Sequence, residues 1–143
     1  MYKIDDEFVQ TFKLMKGVTT IPEIDTSELT NATDLFSGTS IEEVPKLDFH
    51  NVKNMPYFCS QCYNLKKVNE IDTSNVKDMT MAFAFCSSLK YIDFEIDMSS
   101  CKHCSAMFRQ TPIQKPIKLK NVPKKLNLNS LDAPYVVLNY LDK

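Results

Sequence analysis

The strongest constraint on this chain is an internal repeat. Val18, Ile41, Leu65, Leu89 and Ile113 stand 23, 24, 24 and 24 positions apart. Three residues after each come Ile21, Val44, Val68, Ile92 and Pro116. Six after come Ile24, Leu47, Ile71 and Leu119, with one extra residue in the fourth unit giving Ile96. Asp follows directly in four of the five, at Asp25, Asp48, Asp72 and Asp97. Self-similarity at this period marks units that cannot bury their apolar side alone and must stack.

The second half of each unit has another spacing. Val76, Met79, Phe83 and Cys86 are separated by 3, 4 and 3 positions. Leu29, Ala32, Phe36 and Thr39 match them, as do Val52, Met55, Cys59 and Cys62, and Cys101, Cys104, Phe108 and Thr111. Leu35, Phe58, Ala82 and Met107 widen the stripe. Such spacing predicts a short helix of about two to three turns. The Asp, Thr, Ser and Asn before each stripe are suited to cap its start.

The expectation is therefore an α/β, leucine-rich-repeat-type solenoid of about five strand–turn–helix units with helical caps at both ends. One domain, 1–143, would divide into an N-terminal cap (1–17), repeats (18–122) and a C-terminal cap (123–143). Ile4, Phe8, Phe12 and Met15 would line the first cap. Asp132-Ala133-Pro134 would start a closing helix carrying Tyr135, Val136, Leu138, Tyr140 and Leu141.

The third unit runs Leu65-Lys-Lys-Val68-Asn-Glu-Ile71-Asp72-Thr73-Ser74-Asn75-Val76-Lys-Asp-Met79, then Thr-Met-Ala-Phe83-Ala-Phe-Cys86-Ser-Ser-Leu89. It resembles the BspA-like leucine-rich repeat of bacterial surface proteins and Mycoplasma-type proteins of unknown function. Phe36-Ser-Gly-Thr39-Ser-Ile41 and Thr111-Pro112-Ile113 resemble the family's shorter Thr-x-Ile close. The resemblance covers roughly residues 18–122 and implies a binding scaffold of bacterial or phage origin rather than a chemistry.

Charge is uneven along the chain. Residues 1–64 hold 5 basic and 10 acidic side chains, and residues 65–143 hold 12 and 8. Those net charges of −5 and +4 give a dipolar molecule without the basic excess of a nucleic-acid binder. The acidic start is unlike a secretory leader, and no apolar run is long enough to span a bilayer. The expectation is a cytoplasmic or virion-associated product whose 5 Cys are reduced.

Cys59-Ser-Gln-Cys62 and Cys101-Lys-His-Cys104 have the spacing of zinc ligands. The repeat register argues otherwise, because every Cys occupies a column that other units fill with core residues. The pairs also lie two rungs apart, about 10 Å. His50 and His103 are the two imidazoles; His103 precedes Cys104, but neighbours on the expected helix point about 100° apart, so no Cys–His dyad is expected. The Asp25, Asp48, Asp72 and Asp97 column is read as turn and cap chemistry rather than a calcium site. No catalytic, cofactor or metal residue is assigned.

The repeat also exposes departures from its own pattern. Phe49 and Met98 stand where Thr26 and Thr73 stand; Phe85 shares a column with Gly38, Gln61 and Gln110; Tyr57 aligns with Asp34. Tyr91 aligns with Thr20, Glu43, Lys67 and Lys115, beside Lys66 and Lys90. Large apolar residues at polar columns are candidate partner contacts. Lys66, Lys67, Lys90 and Tyr91, with Phe49, Phe85, Tyr57 and Met98, form the expected protein-binding set.

The functional expectation is a non-enzymatic module that binds another protein, as an inhibitor occupying its surface. Two other readings stand beside it. One is an assembly component that associates with itself through the C-terminal segment; the other is a fragment of a surface adhesin. Neither nucleic acid nor membrane is an expected partner.

Overall fold

The computed structural model describes residues 2–12 and 17–140, with 10–12 as backbone only. Its strands are β1 (Tyr2–Lys3), β2 (Ile24–Asp25), β3 (Glu43–Val44), β4 (Lys67–Val68), β5 (Ile96–Asp97), β6 (Ile117–Val122) and β7 (Val136–Tyr140). One helix, α1 (Asp6–Phe12), lies between β1 and β2. Every strand pairing is parallel: β1 with β2, β3 with β4, and β5–β6–β7 in order.

The register follows the repeat columns. Val44 sits opposite Val68, Leu47 opposite Ile71, and Ile96 opposite Leu119. A second ladder joins Asn31, Asn54, Asp78 and His103. Each passage of the chain thus lies on the last as a coil: coil one is 18–40, coil two 41–64, coil three 65–88, coil four 89–112, and coil five starts at 113. Alternation of apolar and charged residues, as in Lys46-Leu47-Asp48, suits a rung with one side in the core.

The second half of each coil is not a helix. This overturns the strand–turn–helix expectation and with it the helix-built leucine-rich-repeat solenoid: the described chain is small parallel sheets with one short helix. The cause is a left-handed residue at every fourth position. Asp34 and Gly38, Tyr57 and Gln61, Met81 and Phe85, and Ala106 and Gln110 all have φ between 53° and 71°. A positive φ breaks a right-handed helix wherever it falls. Between these breaks the chain makes tight turns, such as Leu35 N–H to the Ala32 carbonyl and Ser37 N–H to the Asp34 carbonyl, both 3.1 Å. Alternate amides instead reach the next coil: Asp34 to Pro56, Phe36 to Phe58, and Gly38 to Ser60, at 2.9–3.1 Å. A four-residue turn period and a 3.6-residue helix both place i, i+3, i+4 and i+7 on one side, hence the misleading stripe.

The closing helix is likewise a strand. Asp132 has φ 61°, and Val136–Tyr140 runs extended beside β6, with Leu119 opposite Leu138. Tyr and Val are strand formers, and that preference prevails over the Pro134 helix signal. Leu141 lies outside the described residues.

One apolar cluster runs from Ile4 to Leu131. Its centre is an aromatic ladder in which Phe58 lies 5.4 Å from Phe36 and 6.0 Å from Phe83, and Phe83 lies 5.8 Å from Phe108. Three of these occupy one column; Phe58 belongs to the neighbouring one. Coil two carries Phe58-Cys59 where coil three carries Ala82-Phe83, so large and small exchange columns and the ladder stays filled. Phe49 meets Phe58 edge-on at 5.4 Å.

At the N-terminal end, α1 closes the first coil. Lys53, Lys77 and Lys102 each donate an amide to a carbonyl of the coil before, at 2.7–2.8 Å. Coil one has no such predecessor at this column, and the Asp6 carboxylate takes the carbonyl's part. It accepts Thr30 N–H at 2.9 Å, Asn31 N–H at 3.0 Å and the Thr30 hydroxyl at 2.5 Å. Ile4 and Val9 are buried beneath it, while Phe8 is 36% exposed. The Phe12 side chain and Met15 lie outside the described residues.

Candidate functional site

The strand side of the coils is open. A trough of about 770 Å³ runs along it, lined by Asp25, Asp48, Glu70, Asp72, Glu95 and Asp97, against Lys46 and Lys120. The four Asp each receive the backbone N–H two residues on: Ser27, His50, Ser74 and Ser99, at 2.9–3.2 Å. These bonds hold the turn that leaves each rung. Hydrogen bonds from Ser27, His50 and Ser74 keep the Asp25, Asp48 and Asp72 carboxyls below the usual carboxylate range. His50 Nδ1 also contacts Asp48. Four of the trough's carboxylates, those of Asp25, Asp48, Asp72 and Asp97, are thus set at rung spacing by backbone hydrogen bonds.

Beside it runs a basic strip. Lys66 Nζ pairs with Glu42 at 3.2 Å, and Lys67 lies opposite Glu43 in the next rung. Tyr91 is 37% exposed, with Lys115 Nζ 4.8 Å from its ring centre, a cation–π contact. Lys90 is exposed next to it. The acidic trough and this strip share one side of the molecule, so a partner there would meet both signs of charge.

The eight sequence-derived contact residues do not gather in one place. Lys66, Lys67, Lys90 and Tyr91 lie on the strand side. Tyr57, 39% exposed, and half-buried Phe85 lie on the turn side. Phe49 and Met98 are fully buried and offer nothing to a partner. Their column alternates: Thr26 donates its hydroxyl to the Asp48 carbonyl at 2.6 Å and Thr73 to that of Asp97 at 2.7 Å, while Phe49 and Met98 fill the same space with apolar bulk. Sequence reading missed the trough walls at Lys46, Glu70, Glu95 and Lys120. The signal was present in the charge–apolar–charge triplets Lys46-Leu47-Asp48, Glu70-Ile71-Asp72 and Glu95-Ile96-Asp97.

The cysteines are interior. Among the described residues all five thiols are free and buried, and no cluster of three or more His, Cys, Asp and Glu is placed to hold a metal. Cys62 Sγ donates to the Phe36 carbonyl at 3.0 Å, Cys86 Sγ to Cys59 at 3.1 Å, and Thr111 Oγ1 to Phe83 at 2.5 Å. One column thus uses thiol and hydroxyl interchangeably as a donor to the coil before. Burial pushes the Cys59 and Cys86 thiols up, away from the reactive thiolate.

Fold and face together define a repeat protein of stacked parallel coils with an uncovered, charged strand side. The chain belongs to the family described as Mycoplasma protein of unknown function, DUF285, whose model matches residues 6–129. No curated protein and no solved structure matches it. Among the described residues no helix is long and apolar enough to cross a membrane.

Proposed function

We propose that this chain is a non-enzymatic protein-binding module that acts as an inhibitor by occupying a partner protein's surface with its strand side. The observation that carries this reading is the trough of about 770 Å³, whose Asp25, Asp48, Asp72 and Asp97 carboxylates are fixed by backbone hydrogen bonds, together with the Tyr91–Lys115 pair on the strand side. A charged face held rigid by a continuous core loses little side-chain freedom on binding. Two features support the non-enzymatic part: burial pushes the Cys59 and Cys86 thiols up, and His50 is engaged by Asp48 in a turn. The BspA-like character of the repeat, a scaffold for recognition, points the same way.

The test is capture of partners from native extract on the immobilised chain, with affinity then measured for face variants. Tyr91→Ala combined with Lys90→Ala, and separately Asp48→Lys combined with Asp72→Lys, are expected to weaken binding at least tenfold. Tyr57→Ala, on the turn side, is expected to leave it within twofold. Unchanged affinity in both strand-side variants would overturn the reading.

A further inference from the structure

The two ends of the stack carry opposite charge, and among the described residues both leave a strand edge unpaired. At one end β1 pairs with β2 alone, and Tyr2 is 68% exposed on it. At the other, β7 pairs with β6 alone, and Tyr135, Val137 and Tyr140 are 65%, 52% and 46% exposed. Among the described residues no strand lies on the outer edge of either. Edge strands in monomers are usually protected by charge, proline or a bulge; β7, Val-Val-Leu-Asn-Tyr, has no charged residue or proline, and its pairing with β6 shifts register between Leu119 and Val122.

Charge decides what fits there. At the β1 end Asp5, Glu7 and Glu23 are exposed together with Lys3, which pairs with Glu28 at 2.8 Å; at the β7 end Lys118, Lys124 and Lys125 are exposed together with Asp132, which pairs with Arg109 at 3.1 Å. A two-fold β7-to-β7 contact would bring two lysine-rich ends together. Addition of β7 to β1 brings lysines to carboxylates and continues the parallel ladder that joins β6 to β7.

We infer that second copies of this chain add head to tail, the outer edge of β7 in one copy pairing with the outer edge of β1 in the next. Such a contact is heterologous and does not close on itself, so it yields open chains rather than a defined dimer. α1 covers the turn side of the first coil and leaves β1 available.

Light scattering and sedimentation over a concentration series test this. In about 50 mM salt the mean mass is expected to climb past the dimer without a plateau, and in about 1 M salt to fall severalfold, since screening then acts within about 3 Å. Val137→Lys and Tyr2→Lys each remove one end and are expected to be monomers of unchanged circular dichroism; Tyr135→Lys replaces Val137→Lys if the latter fails to fold. Mixed one to one, the two variants retain one intact pair of ends and are expected to give a dimer that grows no further. A wild-type chain that stays monomeric at high concentration and low salt overturns the inference. So does Tyr2→Lys dimerising by itself, which would mark a β7-to-β7 contact, or a mixture that stays monomeric.

Discussion

Coils two and three solve one packing problem in opposite ways. Coil two sets Phe58 beside Cys59; coil three sets Ala82 beside Phe83. Both keep an aromatic ring in the ladder, but coil two needs Phe49 to complete the layer, whereas coil three keeps Thr73 at that column and uses its hydroxyl to tie down the next coil. A column is therefore not an independent unit of conservation or replacement. What each coil holds constant is the filled volume and the satisfied carbonyl.

The comparison breaks most sharply at Phe58. Phe58→Ala is expected to cost about 3–5 kcal/mol in denaturant unfolding, as for other buried aromatics. Adding Cys59→Phe rebuilds the coil-three arrangement and is expected to recover at least half of that loss. If the double variant is as unstable as the single, the two coils are not alternative packings of one space. Phe49→Thr gives coil two the residue found in coils one and three. It is expected to cost about 2–4 kcal/mol because Phe58 loses its edge contact, a cavity that a new hydroxyl bond does not fill.

The left-handed positions allow a finer contrast. Coil one uses Gly38 where coil two uses Gln61, at φ 71° and 62°. Gly38→Gln is expected to destabilise by about 1–2 kcal/mol, the strain of a side chain in that conformation, and Gln61→Gly to stabilise by up to about 1 kcal/mol. Thermal melts that moved both variants in one direction would contradict this. Cys86→Thr copies Thr111 in the donor column and is expected to cost less than about 1 kcal/mol. Acid is the mildest probe. The Asp72 carboxyl is held below its ordinary value by Ser74, so its contribution is present at neutral pH and is lost as pH falls below about 4. Asp72→Asn is expected to flatten that part of the melting-temperature profile, and an unaltered profile would remove Asp72 from the account.

Much of this architecture was legible as columns. The 23–24-residue register predicted which side chains meet across rungs, and the Cys positions followed from it. The sign of φ was not legible. Coil one declares its left-handed positions with Asp34 and Gly38, but the later coils place Tyr57, Gln61, Met81, Phe85, Ala106 and Gln110 there, residues that carry no turn signal. Those positions are imposed by stacking against a neighbouring coil, a tertiary cause that residue type does not record. The candidate face was half legible. Lys66, Lys67, Lys90 and Tyr91 lie on the strand side, whereas Phe49 and Met98, which depart from a polar column, are interior. They depart because their coils pack differently.

The interior thiols have a practical consequence. Cys59 and Cys62 lie in coil two, Cys86 in coil three, and Cys101 and Cys104 in coil four, all shielded from solvent. A thiol-specific alkylating reagent can reach each one only after its own coil lifts from its neighbours. Single-cysteine versions of the chain would therefore carry built-in clocks, and their labelling rates would report which layer of the stack opens first.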